Sequence, residues 1–406
     1  MSKSGAITFG AVGDIAFHAS IGQEMLAKGV DWPFEKMRTV LSRADVLFGN
    51  MESVFIPPDY PADQVDPAGL ISSVPASAGA QALKRAGFHF LNLAANHVLD
   101  AGPVGMEYTR MCLEEAGLAT AGAGATQKEA RKLRVLTVKG ITFGFLCYCQ
   151  DNNYTLGQPG PAPAYYVPET VLADVARHKA GVDVLVVSIH SDIEFMPTPS
   201  VPRLRDSRRI AHAGADIILE HHPHVPQGIE MVDGCLVAYS LGNFIFDAHT
   251  SEYMKGNGPH TAHSFVLLAE VDKDGVRSFE RVPFEIVEPP EERPRPLAGE
   301  ARDQMLRYLA ELDARLTDEE FVRRTWREVA RRHLASYIKR AAERDVDRVI
   351  EELVGRLCFV SENRDWMDEI LAMAREHWQA RQQRIDPLHR PHYVFAKPRD
   401  RAPEAS

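Results

Sequence analysis

An α/β fold is what the amino-acid sequence predicts, on three observations. Up to about Glu288, short apolar runs rich in Val, Ile and Phe alternate with stretches of helical periodicity. Most of these apolar runs end in a polar residue able to ligate a metal. Beyond a proline-rich connector, "EPPEERPRP" at 288–296, the periodicity becomes helical. The 406 residues are 45% hydrophobic and 25% charged, enough for one large domain or two smaller ones.

Taken in order, "AITFGAVGD", "DVLFGN", "FHFLNLAAN", "ITFGFLCYC", "DVLVVSIHSD", "ADIILEHH" and "CLVAYSLGNFIF" read as mostly buried strands. Between several of them, "SAGAQALKRAG" and "VGMEYTRMCLEEAG" read as helices, the second stopped by Gly117. "SFVLLAEVDKDGVRSFERVPFEIVE" predicts an antiparallel hairpin around Asp274-Gly275, so an antiparallel edge or a second sheet joins the parallel part. Residues 1–290 are expected to form the main domain, 297–385 a helical extension and 386–406 an extended tail. In the extension, Met305, Leu309, Leu312 and Leu316 form one stripe. "TDEEF" reads as a capping box, Thr317 with Glu320, opening a helix that buries Phe321, Val322, Trp326 and Val329. Val346, Val349, Ile350, Leu353 and Leu357 predict a further helix, and Trp366, Ile370, Met373 and Trp378 another.

Composition narrows the function classes. A net charge of −10 argues against a broad electrostatic grip on nucleic acid or on an anionic membrane. The start, "MSKSGAITFGAVGD", lacks the apolar core of a signal peptide, and no apolar run reaches the roughly 18 residues of a membrane span. A cytoplasmic protein is the expectation. The five cysteines follow no zinc spacing or disulfide framework, which agrees with a reducing compartment. Cys147 and Cys149 fall on one face of their strand, where packing explains them.

The chemistry lies at the strand ends: Asp14, Asn50 and Glu52, Asn96 and His97, His190, then His222 and His224. In an open α/β sheet the carboxyl ends of the strands converge on one crevice, so residues scattered through the chain meet. A lone histidine at a strand end is more often hydrogen-bonded than a ligand, but joint placement at five strand ends points to metal. Asp, Asn, Glu and His without Cys suit one or two divalent ions, Mn, Fe or Zn ahead of Ca or Mg. In "EHHPHV" the rigid Pro223 separates His222 and His224 so that both can face one ion, with Glu220 and His221 at the rim. His97 with Asp100, and His190 with Asp192, form two candidate pairs, each able to hold an imidazole in one tautomer. Asp247 in "SLGNFIFD" is placed to orient a histidine, with a turn role as the alternative. Arg203 and Arg205 in "PRLRDSRR" are candidate receivers of substrate carboxylates or phosphates, with a solvated helix face as the alternative.

"GDIAF", "GNMES", "LAANHVLDAG", "IHSDIEF", "GADIILEHHPHVPQGIE" and "YSLGNFIFD" resemble, in that order, the motif series of CapA-type proteins. These are named for poly-γ-glutamate capsule synthesis and form a branch of the calcineurin-like metallophosphoesterase superfamily. The resemblance covers about residues 6–290 and leaves the helical extension outside. It implies a two-sheet β-sandwich flanked by helices, with a metal centre, commonly dinuclear, at the strand ends. Asp14 matches the first-motif aspartate, Asn96-His97 the Asn-His motif, His190 the central histidine, and His222 with His224 the closing His-x-His. Ala16 stands where phosphoesterases carry a histidine, with His18 displaced from that position. The bridging aspartate of the second motif is missing, leaving Asn50 or Glu52 to do its work. His190-Ser191-Asp192 replaces the usual His-Trp-Gly, and Glu220-His221-His222 the usual Gly-His-His.

The expected activity is metal-dependent hydrolysis of an amide or phosphoester bond in an anionic, γ-glutamyl polymer or peptide, by a water whose pKa the metal lowers. A peptide epimerase is the alternative, with the two His/Asp pairs exchanging a Cα proton. A non-catalytic binding protein with a decayed metal site is a third reading. The extension could serve as a lid, a partner platform or a homodimer surface.

Overall fold

The computed structural model describes residues 5–65, 69–150, 160–342 and 361–382. Strands β1 to β4 are Ile7–Ile15, Val46–Met51, Phe90–Asn92 and Ala119–Ala121, and β5 to β8 are Ala123–Gly124, Arg134–Val138, Ile141–Cys149 and Ala162–Pro163. Strands β9 to β12 are Val184–His190, Ile217–His221, Ile229–Val232 and Cys235–Ala238, and β13 to β16 are Asn243–Ile245, His263–Asp272, Gly275–Ile286 and Pro294–Pro296. One sheet has the order β16-β15-β14-β1-β2-β3-β4, with β13 also paired to β1. The other has the order β11-β12-β10-β9-β7-β6. β1 to β4 run parallel, as do β7, β9, β10 and β12, and antiparallel strands flank both sets.

The period of two in each strand builds the layers. Phe9 and Ala11 of β1, Phe48 of β2, Phe143 and Phe145 of β7, Val184 and Val186 of β9 and Leu219 of β10 interleave between the two sheets. The alternate residues Leu47, Leu91 and Val12 face outward onto helices Ala19–Lys28, Ala76–Arg85 and Gly102–Glu115. Leu185, Val187 and Ile218 likewise face helices Pro168–His178 and Val201–His212. The result is a helix–sheet–sheet–helix sandwich of mixed α/β class. Cys147 and Cys149 sit in the inter-sheet core, so packing accounts for both. Gly117, at φ 79°, closes the helix Gly102–Glu115, its N–H donating to Glu114 O at 2.9 Å while Leu118 N donates to Leu113 O at 3.0 Å.

Three local expectations need correcting. "FHFLNLAAN" stops as a strand at Asn92, because the Asn92 side chain accepts from Ala94 N at 2.8 Å and turns the chain. Asn96 and His97 therefore lie in the turn beyond β3 rather than on it. "CLVAYSLGNFIF" is two strands in different sheets, the chain crossing over at Ser240–Gly242, where Gly242 takes φ 59° and donates to Ser240 Oγ at 3.1 Å. In "TDEEF" the cap is Asp318, whose Oδ1 accepts from Phe321 N at 2.9 Å, while Thr317 Oγ1 donates back to Ala314 O.

The extension is not wholly separate from the sandwich. Helix Gly299–Arg315 places Met305, Leu309 and Leu312 in the inter-sheet core, and Leu316 joins the cluster under Val201–His212. Asp313 accepts from Ile229 N at 2.8 Å and from both terminal nitrogens of Arg281 at 2.8 and 2.6 Å. Helices Glu319–Ala342 and Ser361–Gln382 pack on each other, with Trp326 and Trp366 buried. The expected helix through Val346 and Leu357, and the tail 386–406, lie outside the described residues. Among the described residues no helix is long and apolar enough to cross a membrane.

Candidate metal centre

The parallel strands of both sheets end at one rim. β1 brings Asp14 there, β2 brings Asn50, with Glu52 one residue past its end, β9 brings His190 and β10 brings His221. The register sets Asp14 beside Asn50 and His221 beside His190. Gly13 allows β13 to close in, since a Cβ there would stand 1.7 Å from Gly242 O. His222 and His224, either side of Pro223, take φ 97° and 56°, a left-handed conformation costly for residues with a Cβ. That kink turns both rings to the rim, His222 lying 4.9 Å from His190 and 5.9 Å from His224 between ring centroids.

Among the described residues, three sets of donor atoms each lie within 4.8 Å of one another: Glu52, His190 and His222; Asp14, Glu52 and His224; and Glu194, His222 and His224. Both carboxylate oxygens of Glu52, Oδ2 of Asp14, both ring nitrogens of His221 and Nδ1 of His222 are buried without a hydrogen-bond partner. Buried polar atoms are rarely left so, and a divalent cation would satisfy oxygen and imidazole donors together. The donor set fits such an ion.

Amides fix the surrounding geometry. Asn92 Nδ2 donates to Asn50 Oδ1 at 2.6 Å, turning the Asn50 amide towards Asp14 Oδ1 at 2.8 Å and His190 Nδ1 at 3.1 Å. His190 Nε2 meets Asn96 Oδ1 at 3.0 Å. His224 Nδ1 meets Asn243 Oδ1 at 2.9 Å, and Asn243 Nδ2 donates to Thr261 O at 3.1 Å. His97 Nδ1 lies 2.7 Å from Asp100 Oδ2, which also accepts from Leu70 N at 2.5 Å.

The electrostatics follow from packing acids against imidazoles out of water. Burial, with Asp14 and Glu194 nearby, raises Glu52 well above the usual carboxylate range despite His224. Burial opposes charge on His224 too, but Glu52, Asp14 and Glu194 outweigh it and push its pKa up to about 10. Burial lowers His221 and His222 to about 4, so both are neutral at neutral pH. Asp14 is lowered: burial would raise it, but His224, His221 and the Asn50 amide prevail.

The expected site residues divide. Asp14, Asn50, Glu52, Asn96, His190, His221, His222 and His224 are brought together, and Glu52, not Asn50, is the carboxylate facing the imidazoles. His97 and Asp100 pair as expected. His190 and Asp192 do not: His190 engages two asparagines, while Asp192 accepts from Ser200 N at 2.7 Å. Arg203 is 4% exposed, lies over Tyr166 and faces Glu220 at 3.6 Å, so it ties helix Val201–His212 to β10 instead of meeting a substrate. Arg205 is exposed and paired with Asp206. Glu220 alternates with His221 and so points to that helix, accepting from Ser207, with burial raising its pKa to about 8. His18 and Asp247 approach each other at 3.9 Å at the rim, burial lowering the first to about 4 and raising the second to about 7. Sequence reasoning missed Glu194, Asn92 and Asn243. The last two are asparagines in "FLNLAAN" and "SLGNFIFD", where a polar residue inside an apolar run was the available signal.

Fold and site together define a class: an α/β sandwich carrying a buried histidine–carboxylate cluster where its parallel strands end. The model of the family described as bacterial capsule synthesis protein PGA_cap matches residues 8–248, and the chain belongs to that family. It is 29% identical over 282 residues to the PGA biosynthesis protein CapA of Bacillus subtilis, covering 68% of this chain and 71% of that protein. It is 31% identical over 249 residues to the capsule biosynthesis protein CapA of Bacillus anthracis, covering 59% of this chain and 60% of that protein. The crystal structure of TT1561 of Thermus thermophilus aligns with 66% of this chain and 99% of its own at a TM-score of 0.34 and 8% identity, too slight a likeness to bear on the fold.

Proposed function

We propose that this CapA-type protein is a metal-dependent hydrolase with a calcineurin-like metallophosphoesterase fold, cleaving an amide or phosphoester bond in an anionic polymer or peptide. A γ-glutamyl chain is the first candidate substrate, given the PGA and capsule biosynthesis names of its Bacillus relatives. One observation carries the reading: Asp14, Glu52, His190, His222 and His224 converge, with Oδ2 of Asp14, both carboxylate oxygens of Glu52 and Nδ1 of His222 buried and unpartnered. These residues, with Asn96, would hold one or two ions, Mn, Fe or Zn by donor chemistry. When bound, such an ion polarises the scissile bond and lowers the pKa of a water towards neutrality. His97 then has the acid's part. Asp100 holds its Nδ1, so Nε2 is the nitrogen through which His97 would pass a proton to the leaving group. Epimerisation is less favoured, because it needs a second base like the first and His190 is held by amides instead of Asp192.

The test is metal content, by plasma mass spectrometry, of untagged protein purified without chelators, beside His224→Ala. Stoichiometric transition metal in the wild type, held at least about 100-fold more weakly in the variant, supports the centre. Hydrolysis of phosphoester and γ-glutamyl substrates would then be assayed on the loaded protein. No metal in the wild type even after reloading would overturn the reading and leave a binding role.

A further inference from the structure

Glu194 is a candidate ligand set away from the strand ends that bring the others together. It lies on the loop between β9 and helix Val201–His212, 26% exposed, with Oε1 3.7 Å from His224 Nε2 and Oε2 accepting from Tyr253 Oη. The loop is pinned from two directions. On the sandwich side, Phe195 N donates to Pro223 O at 2.8 Å and Gln227 Nε2 to Met196 O at 2.9 Å. Asp192 and Phe195 take φ 87° and 62°, so the loop keeps a shape its residues disfavour and needs outside support. That support comes from the C-terminal helices. Ile193 and Met196, flanking Glu194, are 4% and 3% exposed because they pack against Trp326, Ala330 and Trp366. Beside Trp366, Asp365 Oδ2 accepts from Gln150 Nε2 at 3.1 Å, and Gln150 Oε1 accepts from Asp192 N at 3.1 Å. An apolar grip and a polar chain thus reach the same loop from the C-terminal helical pair.

We propose that the C-terminal helical pair is a positioning element for the metal centre: Trp326 and Trp366, gripping Ile193 and Met196, hold Glu194 where its carboxylate joins His222 and His224 as a ligand set. This rests on the metal reading above. Trp326 and Trp366 are not among the donor residues and act through the loop. A side chain that orients a ligand in this way typically governs affinity by about 10–100-fold.

The experiment titrates full-length, metal-stripped protein with Co(II), reading affinity and the visible ligand-field absorption, with circular dichroism as the folding control. The variants are Trp366→Ala, Trp366→Phe, Glu194→Gln and the double variant Trp366→Ala/Glu194→Gln. Expected is roughly 10-fold weaker Co(II) binding with a changed spectrum in Trp366→Ala, and near wild-type behaviour in Trp366→Phe. In the Glu194→Gln background, Trp366→Ala should add nothing, because the effect passes through that carboxylate. Should Trp366→Ala misfold, Met196→Ala tests the same grip from the loop side. Unchanged Co(II) affinity in a folded grip variant, or an equal loss in both backgrounds, would overturn the positioning role while leaving the metal centre intact. No Co(II) binding by the wild type would instead overturn the centre and the positioning role with it.

Discussion

In the proposed hydrolysis, His97 and Asp100 would divide the work of one proton. The 2.7 Å contact between Nδ1 and Oδ2 fixes the ring, and Leu70 N holds the carboxylate in turn. Neither residue belongs to the donor sets that could hold an ion. Removing the acid should therefore separate chemistry from metal binding. His97→Gln is expected to lower kcat by roughly 10²–10⁴ with metal content unchanged, and Asp100→Asn to lower it less. Steady-state kinetics on loaded protein, with metal analysis of the same samples, checks both, and parallel loss of metal in His97→Gln would remove it from the acid's part. Residue type alone can nominate these two, because the spacing His-x-x-Asp in a turn lets the side chains meet. It cannot exclude the similar His190–Asp192 spacing. That one fails because Asp192, at φ 87°, sends its carboxylate to Ser200 N.

Among the elements, helix Gly299–Arg315 matters more to the sandwich than its place beyond the connector implies. Leu309 is fully buried between the sheets, whereas Leu371, on helix Ser361–Gln382, is 46% exposed. Leu309→Ala should cost about 2–5 kcal/mol, and Leu371→Ala less than about 0.5 kcal/mol. Urea unfolding compares the two, and equal midpoints would detach the first helix from the core. The stripe Met305, Leu309, Leu312 and Leu316 is legible as one buried face because periodicity is local. Its partner is not, since an apolar stripe does not state what covers it. The same limit splits "CLVAYSLGNFIF" between two sheets: each half has strand character, and only the approach of β13 to β1 at Gly13 decides the break.

Across the whole molecule, stability answers to the histidines that folding buries. His18 falls from its ordinary value to about 4, mainly through burial and then through His97. Between about 6.5 and 4 the unfolded chain binds a proton at this position that the folded chain refuses. Stability from this group is thus complete above about 6.5 and lost as pH falls towards 4. In metal-stripped protein, the fall in Tm from pH 7 to pH 5 should be smaller for His18→Gln than for the wild type. Thermal unfolding at the two pH values measures it, and an equal fall would show that His18 is not buried in its neutral form.

The class of fold and most of the candidate donor types are written in the order of residues alone. Alternation at a period of two makes strands, and strands that run parallel must end together. Asp14, Glu52, His190, His222 and His224 can therefore be named without seeing them meet. Direction and burial, by contrast, belong to the folded chain. Whether Glu220 faces the imidazoles or a helix depends on which side of β10 it occupies, and whether Arg203 meets solvent depends on Tyr166 and Glu220 closing over it. Glu194 belongs to the same group. It stands beside His224 because two tryptophans more than a hundred positions further along the chain hold its loop, and no local pattern carries information over that separation.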